Sequence, residues 1–382
     1  MGVGSSSAPD SAAAGAAAAR AALTGADAKL LVVFCSASYD AQQVLDAINE
    51  VSGGVPLIGC VTAGEISGGR SEGASVVVSA LGGDGFSVAT EAAFIADKGP
   101  RAAGAAIAGC AARTDQRPYR LLMTLIDGVV QGQEEVLRGV YDVLGASVPL
   151  VGGAAGDDSR TGGTAHMHGR EVLHSAAVAA IIDSDAPFGI GVHHGWRQVG
   201  EPMLVTRVED GRIYTLDDQP ALDAYLERLK APADAYTDLT AFRHFSRMRP
   251  LSVIRRGGDE VRGVDTHPNF EDRSLQAGGS VPQGGLTWIM EGDVDSLLGA
   301  TDVACAEAVQ GLGGRPPIGY FAFDCLARWQ LLGPAGVQEE IDRIRKHVDD
   351  MPLAGFYTYG EIARARGINA FHHQTLVMLA IA

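Results

Sequence analysis

The chain is poor in cysteine, and none of its cysteines is placed to pair. Cys35, Cys60, Cys110, Cys305 and Cys325 lie far apart, with no Cys-x-x-Cys among them. That spacing excludes a disulfide framework and a covalent c-type haem, and it points to a reducing compartment. No Lys or Arg precedes Arg20, so the Ala/Gly-rich start does not read as a secretory signal. No apolar run approaches the roughly 18–20 residues of a membrane span. Basic charge is scarce too: 30 Lys and Arg face 46 Asp and Glu, a net charge of -16. Such a chain repels nucleic acid, whose backbone needs clustered cations. Its most basic stretch, Phe242 to Pro250 followed by Arg255 and Arg256, is short. It reads as a solvated helix face and loop, with an anionic ligand or partner contact as the alternative. A Ser elbow, a P-loop and a His-Glu-x-x-His are also missing, and no helix opens after Gly82-Gly83-x-Gly85 to make a dinucleotide site. The expectation is a soluble cytoplasmic protein with no nucleic-acid or membrane partner.

What the chain has in excess is glycine, 50 in 382 residues, with 46% hydrophobic and 20% charged residues, enough for two or three packed domains. Residues 1–9 read as disordered, and residues 10–23 as an Ala-rich helix despite Gly15. A pattern then occurs three times. "KLLVVFC" is a buried strand, "DAQQVLDAINEV" an amphipathic helix with Asp40 as N-cap, and "PLIGC" a second strand; a glycine turn and the strand "SVVVSAL" follow. "YRLLMTLID", "GQEEVLRGVYDVLG" and "PLVGG" repeat that order, as do "IGYFAFDC", "GVQEEIDRIRKHV" and "PLAGF". Each Pro-Leu-x-Gly brings a glycine three places after its proline: Gly59, Gly152 and Gly355. Each following turn carries a Gly-acid pair: Gly64-Glu65, Gly156-Asp157 and Gly360-Glu361. Read singly, these are turn and packing requirements. Read together, three acids at equivalent strand ends predict a shared polar cleft. Between the second and third copies lie two helices, several short antiparallel strands and a helix opened by Asp293. The expected fold is α/β (α+β): mixed sheets, helices on the outer faces, repeated strand-helix-strand-strand units and two domains.

"PLIGCVTAGEI", "PLVGGAAGDD", "GVHHGWRQVGEPMLVTR", "FDCLAR" and "PLAGFYTYGEI" with "FHHQTLVMLAI" together resemble the FIST sensory family. Residues 1–28 read as a tail and Ala-rich helix and the chain divides best near Leu216, so that the resemblance implies a FIST N-type domain over 29–216 and a FIST C-type domain over 217–382. It also implies a bacterial signal-input module for a small ligand such as an amino acid. A subset of the family looks like haem proteins that sense nitric oxide and regulate a histidine kinase. No output domain follows in this sequence, so the expected readout is a separate signalling partner; self-association is left open.

The residues offer three chemistries. For a zwitterion, Arg328 would fork onto a carboxylate while Glu65, Asp157 or Glu361 holds an ammonium, with Cys60, Thr62, Cys325, Thr358 and Tyr359 completing the walls. For haem b, His194 beside Trp196 is the first choice of axial ligand. His267 sits in a loop or helix-end context without a decided role. The pair His166 and His168 reads as an exposed strand near a Gly162-Gly163 turn, because no third zinc ligand is close. For a cysteine-dependent enzyme, Cys325 would need a thiolate stabilised by Arg328 or a histidine. The bland alternative buries Cys325 and pairs Arg328 with a turn acid such as Glu361, and it is preferred over the enzyme.

Overall fold

The computed structural model describes all residues but 26, 69–72, 158–163, 256–257 and 265–267. Arg256, His267 and the Gly162-Gly163 turn named above therefore lie outside the described residues.

The repeat is longer than the sequence suggests. The first unit runs from an edge strand, Gly2–Ser6, through a helix, Ser11–Ala22, before it reaches the expected strand Ala28–Ser36. Helix Ala41–Ser52, strand Leu57–Thr62, a short strand Glu65–Ser67 and strand Val76–Gly82 complete it. The second unit has Phe86–Phe94, helix Pro100–Ala108, Tyr119–Asp127, helix Gln133–Leu144, Leu150–Ala155, the short His166–His168 and Ala176–Ser184. The third has Phe188–His193, helix Val294–Gly311, Gly319–Cys325, helix Leu326–Val348, Leu353–Thr358, Glu361–Ala365 and Leu376–Ile381. Residues 1–9 are thus not a disordered tail: Gly2–Ser6 pairs antiparallel with the strand Val76–Gly82. The Ala-rich helix is capped by Asp10, which accepts from the Ala13 amide at 2.8 Å. A Cβ on Gly15 would stand 2.6 Å from the Val44 carbonyl oxygen, so glycine lets this helix lie against its neighbour.

Each unit forms one sheet with the same logic. Its two central strands run parallel, joined by a helix, and its last strand returns antiparallel to the first. The short strand after each turn leaves its own sheet. Glu65–Ser67 joins the third unit's Leu353–Thr358, Glu361–Ala365 joins the second unit's Leu150–Ala155, and His166–His168 joins the first unit's Leu57–Thr62. The exchange closes in a ring. Between the three sheets lies one apolar centre, with Phe34, Ile58, Met123, Val151, Phe323 and Phe356 among its members. The helices cover the outer faces, as expected. A curled eight-stranded sheet, from Arg197–Glu209 to Leu286–Glu291, is inserted between the strand Phe188–His193 and the helix Val294–Gly311. It has its own core around Tyr225, Phe242 and Leu275.

The ring explains the Pro-Leu-x-Gly device. Gly59, Gly152 and Gly355 sit opposite Val33, Thr124 and Ala322 on the parallel neighbour. A Cβ there would stand 2.6, 2.0 and 2.0 Å from those residues' carbonyl oxygens. Their other neighbours are Met167, Ile362 and Ile66 of the exchanged strands. Gly355→Ala should therefore lower stability by about 1–3 kcal/mol, the cost of overpacking, read as a fall in the urea midpoint. Gly299→Ala, at a helical position with nothing within 4 Å of the new carbon, should be neutral or slightly stabilising. Equal midpoints for the two variants would contradict the tight crossing.

Candidate functional site

At the carboxyl end of each parallel pair the chain buries a polar nest. In the first unit Ser36 lies across from Thr62. Glu65 turns in between them and accepts hydrogen bonds from Ser36 (2.9 Å), Thr62 (2.5 Å) and Ser75 (2.5 Å). In the third unit Cys325 lies across from Thr358. There Glu361 accepts from Thr358 (2.5 Å) and from the Thr375 amide (3.1 Å), with the Cys325 thiol beside it. Burial raises the pKa of both carboxyls, that of Glu361 to about 8.

The second unit departs from the expected pattern. The carbonyls of Gly64 and Gly360 accept from the amides of Tyr357 and Ala154, and the carbonyl that does the same for Val61 belongs to Ala165. The residue in the place of Glu65 and Glu361 is therefore His166, not Asp157. Its ring is wholly buried near Asp127, and burial lowers its pKa to about 4. Far from an exposed strand, it sits where the other units put an acid. Asp157 is buried earlier in the chain, where its carbonyl accepts from the Tyr359 hydroxyl at 2.6 Å.

The acids thus reach three separate interior sites. Glu65 draws its partners from the first unit and Glu361 from the third, and neither lines the clefts described below. Cys60 faces the apolar centre, and its thiol is pushed up by burial. Cys325 is buried as well, and desolvation followed by the charge of Glu361 raises its pKa well above that of a free thiol. A nucleophile needs the opposite shift, so the geometry disfavours the cysteine enzyme.

Arg328 is committed elsewhere. It is fully buried and donates to Asp324 at 2.9 Å, to Glu340, to Thr301 Oγ1 at 3.1 Å and to the Leu297 and His194 carbonyls. Its acids are Asp324 and Glu340 rather than Glu361, and it lines none of the clefts described here. His194 lines a cleft of about 760 Å³ with Trp196. Its Nδ1 accepts from the Trp196 amide at 3.0 Å, and burial lowers its pKa to about 4. Glu307, Asp259, Arg364 and Arg366 wall the same cleft, and His193 bonds Glu307 at 3.1 Å. Ile190, Val192 and Ile254 line it as well, but haem needs apolar contact along its ring faces and four charged side chains share these walls, so this mixed cleft fits it poorly.

The cleft that gathers parts of the second unit, the third unit and the inserted sheet lies over the carboxyl ends of the second unit's parallel strands, where α/β sheets commonly hold ligands. Its volume is about 610 Å³. The loop from Gly128 and the first turn of helix Gln133–Leu144 form one wall, the inserted sheet from Gln276 to Ser280 another, and Tyr359 and His373 the floor. Glu134 ties the walls together: it accepts from Ser280 Oγ at 2.5 Å, from the Ser280 amide at 3.2 Å and from Arg262 at 3.4 Å. Of the sequence candidates only Tyr359 lines this crevice, with Asp157 bonded to it. Glu134, Arg262 and Ser280 escaped the sequence reading because their partnership spans 146 positions for Ser280 and 128 for Arg262. Ser36 was findable, since it holds the repeat position that Cys325 holds in the third unit.

Among the described residues no helix is long and apolar enough to cross a membrane. A FIST N domain model matches residues 29–219 and a FIST C domain model residues 221–364. Two uncharacterized proteins of Mycobacterium tuberculosis, from strains CDC 1551 and H37Rv, are each 30% identical over 400 residues, covering 99% of this chain and 98% of theirs. An uncharacterized protein of Methanocaldococcus jannaschii is 26% identical over 183 residues, 45% of this chain and 34% of its own length. On these matches the chain belongs to the FIST family of small-ligand sensor domains in signal transduction.

Proposed function

We propose that this protein senses a small zwitterionic ligand, of the amino-acid class, in the crevice over the second unit, and reports it to a separate signalling protein such as a histidine kinase. The observation that carries the reading is the Glu134 clamp. It joins the repeated body to the inserted sheet across the crevice, so a ligand there touches both and can alter how they meet. The walls offer both charges: Asp210 for an ammonium, and for a carboxylate the glycine-rich backbone with Arg138, whose resting partner is Glu135 on the same helix. Five cysteines, all unbonded, support a reducing cytoplasm as the place of action.

Calorimetry against the common amino acids tests this. One or a few should bind, and Tyr359→Phe should weaken them about tenfold, the loss of one hydrogen bond to a charged ligand. Glu134→Gln should weaken them too and loosen the inserted sheet in hydrogen exchange. No binding to any amino acid, or binding indifferent to both changes, would sink the crevice as the sensing site. In a parallel titration, stoichiometric haem should give no Soret band of a His-ligated complex; such a band, lost in His194→Ala, would restore the nitric-oxide reading.

A further inference from the structure

A third cleft, of about 500 Å³, lies at the carboxyl ends of the third unit's parallel strands, the place that the crevice occupies in the second unit. One wall is a single face of helix Leu239–Ser246 and the residue after it. Thr240, Arg243, His244 and Arg247 follow helical spacing and all line the cleft. The facing wall is the first stretch of helix Leu326–Val348, before its break at Gly333. Arg247 reaches across to the Gln330 carbonyl at 3.0 Å. No described residue lining this cleft is acidic, although the chain carries a net charge of -16.

The floor is Gln374. It is only 6% exposed, its backbone is held at φ 53°, and its Oε1 is buried without a hydrogen-bond partner. An orphaned acceptor costs about 1–3 kcal/mol. A ligand that brings a donor to that spot removes the cost. Next to Gln374, the Thr375 amide donates to Glu361 and the Thr375 carbonyl accepts from the Cys325 amide, so the floor continues into the buried nest.

From the cation-lined wall and the orphaned amide oxygen we propose that this cleft binds a small hydroxycarboxylate. Its carboxylates face the Arg243–His244–Arg247 face, and its hydroxyl donates to Gln374 Oε1. A hydroxyl suits the position better than an ammonium, which would stand among three basic side chains. The site is independent of the crevice over the second unit and does not rest on it.

Calorimetry on the full chain with both enantiomers of malate, with succinate and with aspartate tests the assignment. One malate enantiomer should bind at least tenfold more tightly than succinate, which lacks the hydroxyl, and than aspartate, which puts an ammonium in its place. Gln374→Met keeps the size of the side chain and removes the orphaned oxygen. It should erase the preference for malate over succinate while leaving the ligand-free urea midpoint unchanged or higher. Arg243→Ala with Arg247→Ala should weaken malate and succinate alike, by tenfold or more. Equal affinity for malate and succinate in the parent, no malate binding at millimolar concentration, or a preference that survives Gln374→Met would each overturn it.

Discussion

Arg328→Met should cost this protein about 3–5 kcal/mol, the usual penalty for removing one partner of a buried ion pair. The guanidinium lies wholly inside, between Asp324 at the strand end and Glu340 on the long helix, which are themselves buried. Burial and then the charge of Glu340 already raise the pKa of Asp324, so the pair of acids tolerates the interior only with the cation between them. Its other donors hold Leu297 and Thr301 of a second helix and the His194 carbonyl ahead of the inserted sheet. Loss of the side chain therefore loosens the third unit and its junction with the insertion together. Urea denaturation reads the effect, with the soluble fraction on expression as a second measure. Arg328→Lys should recover only part of the loss, because an ammonium cannot span both acids in a fixed fork. Combining Arg328→Met with Asp324→Asn and Glu340→Gln should recover more than lysine does, since no uncompensated charge remains. A single Arg328→Met variant with the parent's urea midpoint would show that the cluster is not closed to water.

What the sequence made legible follows from the range of each interaction. Strands and helices were readable because apolar periodicity and caps such as Asp40 and Asp293 act within a few residues. The three glycines were readable as a repeat, but their reason was not, because it lies in the carbonyl of a neighbouring strand. Alignment by the motif alone paired Asp157 with Glu65 and Glu361. A backbone bond from Val61 to Ala165 places His166 there instead, after a longer stretch of sequence than the other two units have between strand end and acid. Gly2–Ser6 looked disordered because its apolar content is small; its place in the sheet comes from backbone pairing with Val76–Gly82, which needs no large side chain. Arg328 was legible as important and misassigned in role, since its partner Glu340 lies twelve residues on, beyond a break in the helix.

The buried titratable groups predict a stability maximum between about pH 6 and 7. Burial lowers His166, His194 and His372 to about 4 and His373 to about 3, from an ordinary value of 6.5. The unfolded chain therefore takes up protons below pH 6.5 that the folded one refuses. Stability falls as pH drops from 6.5 toward 4, at about 1.4 kcal/mol per pH unit for each ring. Glu361 acts in the other direction. Its folded value of about 8 exceeds the ordinary 4.5, so the folded state keeps a proton that the unfolded state releases. That contribution is whole below pH 4.5 and is lost as pH rises through 8; Glu65, raised by the same cause, adds to the slope. Below pH 6.5 the lowered rings, His168 among them, outweigh the raised carboxyls Glu65, Glu361 and Asp324, and above it the carboxyls act without opposition from the rings. Urea midpoints measured from pH 5 to pH 9 should rise and then fall. Glu361→Gln keeps the hydrogen-bonding shape without the titration. It should flatten the alkaline limb and leave the acid limb's histidine-driven fall in place, steeper by the opposing carboxyl that is gone. A parent profile that stays level from pH 6.5 to pH 8, or an alkaline limb unchanged in Glu361→Gln, would mean that Glu361 is ionised inside the folded protein.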